Sequence, residues 1–147
     1  MRVSVRTLRD GDRDRWEALF RGYIEFYKAS LTDAVIDETW SRLLSDDPQF
    51  HIGFGAVDAG GELIGIAHVL FHRSTWSLTH YCYLEDLFVD PDVRANGVGR
   101  ALIDAVYSEA DARKCTRTYW ATQEFNYRAR GLYDQVATKS PFIQYRR

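Results

Sequence analysis

Hydrophobic and polar positions along the 147-residue chain fall into blocks of two different periods. Val3 and Val5 alternate with polar neighbours over residues 2–6, which predicts a short strand. Trp16, Leu19, Phe20, Tyr23, Ile24 and Tyr27 then recur every three or four positions. That is one aromatic face of a helix opened by Asp10 or by Gly11-Asp12. Residues 30–32 break the pattern. Val35, Ile36, Trp40, Leu43 and Leu44 repeat it in a second helix from about Asp33, which stops before Asp47-Pro48. Residues 50–59 and 62–71 read as strands joined by a tight turn at Gly60-Gly61. Residues 73–79 form a loop carrying Trp76, and 80–89 a further strand ended by Asp90-Pro91. A helix over 97–113 places Val98, Ala101, Leu102, Ala105 and Val106 inward. A strand over 115–122 follows. Asn126 opens a helix to about Val136 with Ala129, Leu132, Tyr133 and Val136 inward, and residues 142–145 predict a last strand. The order is β-α-α-β-β-β-α-β-α-β. It describes an α/β (α+β) fold: a mixed, mostly antiparallel central sheet with helices on both faces, in a single domain over 1–147.

Composition narrows the function. At 46% hydrophobic and 14% aromatic, the chain has material for a core, which excludes a disordered class. The formal net charge of −2 offers no basic field for a nucleic-acid partner. No 18-residue apolar run is present, so no membrane partner is expected. The charged start Met1-Arg2-Val3-Ser4-Val5-Arg6 does not resemble a signal peptide, and a cytoplasmic location is the expectation. Cys82 and Cys115 have no CxxC partner. His51, His68, His72 and His80 lack metal spacing, so no metal is expected. They read as ordinary surface or strand histidines, with His68 or His80 within reach of a cleft.

The most informative stretch is 90–100, a strand end and short loop followed by Arg94-Ala95-Asn96-Gly97-Val98-Gly99-Arg100 at a helix start. Two glycines there permit a sharp turn and a close backbone approach. The free N–H groups of the first helical turn, with the helix dipole, suit a pyrophosphate, and Arg94 and Arg100 add positive charge. A Walker loop is excluded because Ala101 follows Gly99-Arg100, and a Rossmann fingerprint because Leu102 replaces its third glycine. The pattern left is Arg/Gln-x-x-Gly-x-Gly/Ala; a glycine-bearing helix start without a ligand is the plain alternative.

Tyr83-Leu84-Glu85-Asp86-Leu87-Phe88-Val89, followed by Asp90-Pro91-Asp92-Val93 and the Arg94 to Gly99 run, resembles the acetyl-CoA motif of the GNAT superfamily of N-acetyltransferases. The order of elements matches that fold along nearly the whole chain. Tyr119-Trp120, the helix opened by Asn126 and Tyr133 resemble the second cofactor motif. Two groups look most similar: the small yeast enzyme that acetylates histones and polyamines, and the spermidine/spermine acetyltransferases, which share Tyr-Leu-Glu-Asp. Ala95 departs from the Gly common at its position.

The resemblance implies a site. Acetyl-CoA (coenzyme A) would lie where two parallel strands splay, held by Leu87, Phe88, Val89, Arg94, Ala95, Asn96, Gly97, Val98, Gly99, Arg100, Asn126 and Tyr133. The pantetheine arm would use the backbone of Leu87 and Val89 like an added strand. Asn126 and Tyr133, seven residues apart, share a helix face. Each also suits a plain role, Asn126 as an N-cap and Tyr133 as a core aromatic. Tyr133 would be the acid for the departing thiolate and Glu85 the base, directly or through a water. Glu85 also suits a structural or substrate-attracting carboxylate. Strict alternation puts Tyr83, Glu85 and Leu87 on one face and Leu84, Asp86 and Phe88 on the other, unless a bulge intervenes. Tyr23, Tyr27, Trp76 and Glu85, with Phe26 and the acids Asp33, Asp37 and Glu38, would line an acceptor pocket suited to a cationic amine. The function implied is acetyl-CoA-dependent N-acetylation of a polyamine-like small molecule or lysine side chain, by direct attack in a ternary complex. A non-catalytic acyl-CoA-binding sensor or assembly module is the alternative, and O-acetylation or transfer of a longer acyl group keeps the chemistry with another substrate. The apolar segment Pro141-Phe142-Ile143-Gln144-Tyr145 at a sheet end predicts a homodimer.

Overall fold

The structure is a computed structural model that describes residues 2–47, 51–93 and 97–147. Five strands form one sheet in the order β1 (Ser4–Thr7), β2 (Ile52–Val57), β3 (Leu63–His72), β4 (Tyr81–Val89) and β5 (Arg117–Tyr119). The first three pairings are antiparallel, and β4 pairs β5 in parallel. Helices α1 (Arg13–Phe26) and α2 (Asp33–Leu43) cover one face, and α3 (Val98–Ala112) and α4 (Tyr127–Val136) the other. The expected α/β architecture is therefore present.

Each layer follows from its apolar stripe. Trp16, Leu19 and Phe20 of α1 and Ile36, Trp40 and Leu43 of α2 pack on Leu8, Val57, Leu63 and Ile66. Val98, Leu102, Ile103, Val106 and Ala110 of α3 pack on Phe54, Ala56, Ile64, Ala67, Val69 and Leu84. Residues 63–69 of β3 are buried throughout, because helices cover both of its faces. The chain enters α1 through a 3₁₀ turn at Asp10–Asp12. There the Arg6 guanidinium grips the Asp12 carboxylate at 2.7 and 2.9 Å, and Asp12 also accepts the Arg9 N–H at 2.9 Å. The Arg6 hydrogen bonds hold the Asp12 carboxyl below the ordinary carboxylate value, against the opposing effect of burial. That clamp ties the start of α1 to β1.

At the start of α2, Thr32 Oγ1 accepts the Val35 N–H at 3.3 Å. Thr32→Ala is expected to cost about 0.5–1 kcal/mol, read as a lower urea midpoint at unchanged slope. An unmoved midpoint would show that the cap contributes nothing.

The strand expected over 142–145 does not form. Residues 137–147 hold neither strand nor helix, and Phe142, Ile143 and Tyr145 are exposed. The neighbouring edge strand β5 has only three residues to offer a ladder, and Pro141 brings no N–H to one. The strand expected over 115–122 is likewise shorter, Arg117–Tyr119.

Candidate active site

The site begins where β4 and β5 part. They pair only as Tyr81 with Arg117, Cys82 with Thr118 and Tyr83 with Tyr119. Tyr83 and Tyr119 close the junction with ring centroids 4.7 Å apart. Beyond it β4 runs on to Val89 while β5 stops at Tyr119, so a seam opens along residues 84–89.

The ladder to β3 determines which backbone groups face that seam. Asp90 N–H donates to the Ile64 carbonyl at 2.9 Å, and Gly65 lies opposite Val89. Hydrogen-bonded and non-bonded pairs alternate along an antiparallel ladder. The amides of Phe88 and Asp86 therefore turn toward β3, and those of Leu87 and Val89 turn away from it, into the seam. A buried N–H or C=O needs a partner, so this edge is a row of sites for an extended ligand with its own amides.

A bulge re-aims the centre of β4. His68 lies opposite Asp86 and Val69 opposite Leu84, which leaves Glu85 as the extra residue. Strict alternation therefore fails. Leu84, Leu87 and Val89 pack toward α3, whereas Phe88 packs toward α1. Asp86 turns to the α1 side, where it meets His68 and Tyr23. Glu85, at the bulge, opens to solvent with protein around its remaining sides. Partial desolvation raises its pKa above the ordinary glutamate value. The Asp86 charge adds to that shift.

Helix α4 forms one wall of the seam. Tyr133 lies edge-on to Trp120 at 5.4 Å, and Trp120 meets Tyr107, whose hydroxyl donates to the Val136 carbonyl at 2.8 Å. Burial pushes the Tyr133 phenol up to about 12, and neighbouring Tyr27 adds to the shift. Asn126 occupies the N-cap position of α4, but its side chain does not cap; Nδ2 donates to Thr122 Oγ1 at 3.1 Å. Helix α1 supplies the opposite wall. Tyr23 meets Tyr27 at 5.0 Å and Phe88 at 6.1 Å. Its phenol is pushed far up by burial and by the charge of the nearby Asp86 carboxylate.

The seam ends at α3. Gly97 caps this helix in the left-handed region (φ 71°), which a Cβ would strain. A Cβ on Gly99 would stand 3.2 Å from Leu132, so this glycine lets α3 lie against α4. Val98 is buried beneath the turn.

Glu85, Leu87, Phe88, Val89, Tyr23, Tyr27 and Tyr133 thus come together, with Asn126 heading the α4 wall and Gly97, Val98 and Gly99 at the end of the seam. Arg94, Ala95 and Asn96 lie outside the described residues. Arg100 is exposed and donates to Gln135 Oε1 at 3.0 Å. Trp76 stands apart, 86% exposed on the β3–β4 loop, without an aromatic partner among the described residues. Phe26 is also exposed, 57%, with its ring edge-on to that of Tyr27 at 5.1 Å. The acids expected in the pocket are instead bound to arginines on a solvated face: Asp33 to Arg21, Asp37 to Arg13 and Glu38 to Arg42. A hollow of about 470 Å³ between α1 and α2, lined in part by Ile24, Lys28 and Leu31, shares no residue with the seam. The polar centre of the site is therefore Glu85–Asp86.

Sequence reasoning missed the company of Asp86. His68 is not an ordinary strand histidine, for it is 1% exposed and bonded through both ring nitrogens. The available signal was two adjacent acids inside the apolar run Leu84 to Val89, which unbroken alternation would force onto opposite packed faces.

The model of the Acetyltransferase (GNAT) family matches residues 16–137. The chain is 36% identical over 148 residues to D-amino-acid N-acetyltransferase HPA3 of Saccharomyces cerevisiae, covering 99% of this chain and 91% of that one. It is 31% identical over 146 residues to thialysine N-epsilon-acetyltransferase of Bos taurus, covering 93% and 84%. A solved structure of AAC(6')-Iy in complex with a bisubstrate analog, CoA-S-monomethyl-acetylneamine, shares the fold at a TM-score of 0.80 and 21% identity, covering 100% and 99%.

Proposed function

The chain belongs to the GNAT acetyltransferase family, and from that membership we propose that it transfers an acetyl group from acetyl-CoA to a primary amine by direct attack in a ternary complex. The acceptor is a small cationic amine, polyamine-like or a lysine-type side chain. The observation that carries this reading is the seam itself: Leu87 and Val89 backbone groups turned away from β3, with Glu85 at the bulge and Tyr133 on the facing wall.

The residues present fit acetyl-CoA. Leu87 and Val89 offer amides to the extended arm, with Phe88 holding the strand in place. Gly97, Val98, Gly99 and Arg100 offer the free N–H groups of a helix start to the phosphates. Arg94, Ala95 and Asn96 complete that loop in sequence, and Asn126 supplies a side-chain amide beside the arm. When bound, the thioester supplies an acetyl carbon open to attack. An alkylammonium must lose its proton before it can attack. Glu85, its pKa raised, takes that proton directly or through a water. The Leu87 N–H, turned into the seam, would offer a donor to the acetyl oxygen as charge develops there. Tyr133 would give its proton to sulfur as the C–S bond breaks, and the proton lost by the acylated nitrogen would restore the phenol, directly or through a water. Tyr23 and Tyr27 present aromatic surface to the cation, and Asp86 adds negative charge.

The two relatives named above act, by their names, on a D-amino acid and on the ε-nitrogen of thialysine. Both acceptor types belong in the test beside spermidine and lysine peptides. Thiol release from acetyl-CoA is expected to depend on the amine added. Binding of acetyl-CoA by calorimetry without release for any amine would instead support a non-catalytic acyl-CoA-binding module.

A homodimer belongs to the same proposal. Exposed Phe142, Ile143 and Tyr145 lie on a tail that pairs with no strand of its own sheet. Sedimentation at micromolar concentration is expected to give a dimer that truncation after Lys139 converts to monomer; a monomeric full chain would refute it.

A further inference from the structure

We infer that His68 is a positioning residue for the acceptor amine: it fixes the Asp86 carboxylate as the anion on which the ammonium docks beside Glu85, and Trp16 in turn fixes His68. This rests on the acetyl-transfer reading above.

The hydrogen-bond chemistry allows only one arrangement. The Trp16 indole N–H can only donate, and it meets His68 Nε2 at 2.9 Å. Nε2 therefore accepts, and the ring proton sits on Nδ1. From there it is donated to Asp86 Oδ2 at 2.8 Å. The Tyr23 phenol stands on the same side, within electrostatic reach of Asp86. A carboxylate has about four lone-pair sites, so the imidazole donor leaves room for an ammonium. The Asp86 side chain is 18% exposed, which leaves that room accessible from the site.

The rest of the pocket makes the chain rigid. Trp16 and Phe20 of α1 pack on the imidazole at 5.9 and 5.0 Å, and Trp40 of α2 holds Trp16 at 4.8 Å. The titratable groups near His68 are Asp86 and Glu85 of β4 and His51 before β2, with Tyr23 of α1 on the same side as Asp86. A purely structural core would place an apolar side chain at 68, since buried polar chains are stabilising only when fully satisfied. Here the polar chain starts in the core and ends on the one carboxylate that the bulge turns toward α1.

Two substitutions separate positioning from packing. His68→Leu removes the donor to Asp86, and His68→Asn returns an N–H near the place of Nδ1. With spermidine and thialysine as acceptors, His68→Leu is expected to raise the amine KM about 10- to 100-fold, the worth of one charged hydrogen bond. Acetyl-CoA affinity measured by calorimetry is expected to stay as in the wild type, and His68→Asn to recover most of the loss. A folded His68→Leu protein with unchanged amine KM, an equal loss for both substrates, or no recovery in His68→Asn would overturn the inference. ¹⁵N NMR of the wild-type protein tests the premise without turnover: His68 is expected as the Nδ1–H tautomer at pH 7, and an Nε2–H tautomer or imidazolium would overturn it even if the variants fail to fold. Wild-type protein that releases no thiol with any amine would sink the acetyl-transfer reading, and the docking role with it. Release by wild type that the variants do not alter would sink the role alone.

Discussion

Tyr133→Phe is expected to lower kcat by about 10²- to 10⁴-fold, the usual worth of a positioned general acid. Acetyl-CoA affinity should stay within about twofold, because the ring remains edge-on to Trp120 and only the hydroxyl is lost. A thiolate leaves a thioester more readily when it is protonated on departure. The donor must hold its proton at working pH and must be buried enough to deliver it to sulfur rather than to water. Tyr133 meets both conditions, since burial pushes its phenol up to about 12. The sign follows: burial disfavours the phenolate, so the protonated form persists across the neutral and mildly alkaline range. Any fall in rate between pH 8 and 10 must then belong to another group. Thiol release at saturating acetyl-CoA, measured from pH 6 to 10, checks this. A Phe variant that turns over within about twofold of wild type would remove Tyr133 from the chemistry and leave it a packing residue.

Most of the scaffold is legible in the sequence because it depends on periodicity. The stripe Trp16, Leu19, Phe20 and the stripe Leu102, Val106 each contact a sheet face as spacing alone requires. The Gly60-Gly61 hairpin forms, with Asp58 Oδ1 accepting the Gly60 and Glu62 N–H groups at 2.9 Å. The centre of the site was not legible in that way. A bulge is a register event between two strands, and the side-chain pattern of β4 alone does not reveal that Glu85 is the extra residue. Moving one residue out of the ladder exchanged the faces of everything after it, which is why Asp86 turns up with Phe88 on the α1 side. The acids of α2 misled for a different reason. They were placed by composition. Glu38 has Arg42 one turn along its own helix, a pairing that sequence spacing offers, but Arg13 and Arg21 reach Asp37 and Asp33 across from α1, which only the packed pair reveals. Trp76 and the 142–145 segment were placed by apolar character, and neither finds a partner surface in the fold.

Glu85→Gln is expected to lower kcat/KM for the amine by about 10²-fold at pH 7 and to remove one ionisation from the acid side of the profile. The direction is set by where the carboxyl sits. Partial burial at the bulge disfavours its charged form, and the Asp86 charge adds to that. The pKa therefore lies above the ordinary glutamate value of 4.5. The group acts as base only when ionised, so the wild-type rate should rise with pH through that raised value and fall below it. A glutamine cannot take the proton at any pH, so this limb disappears from the variant. Deprotonation of the free amine, near 10.4 for a lysine-type acceptor, gives a second rise that persists in both proteins and serves as an internal control. Glu85→Asp, one methylene shorter, should recover part of the rate with the acid limb present, because a bridging water can span the added gap. If the Gln and wild-type profiles superimpose, Glu85 does not move the proton. The two-acid bulge would then serve only to attract the cation, and the amine would have to arrive at the seam already neutral.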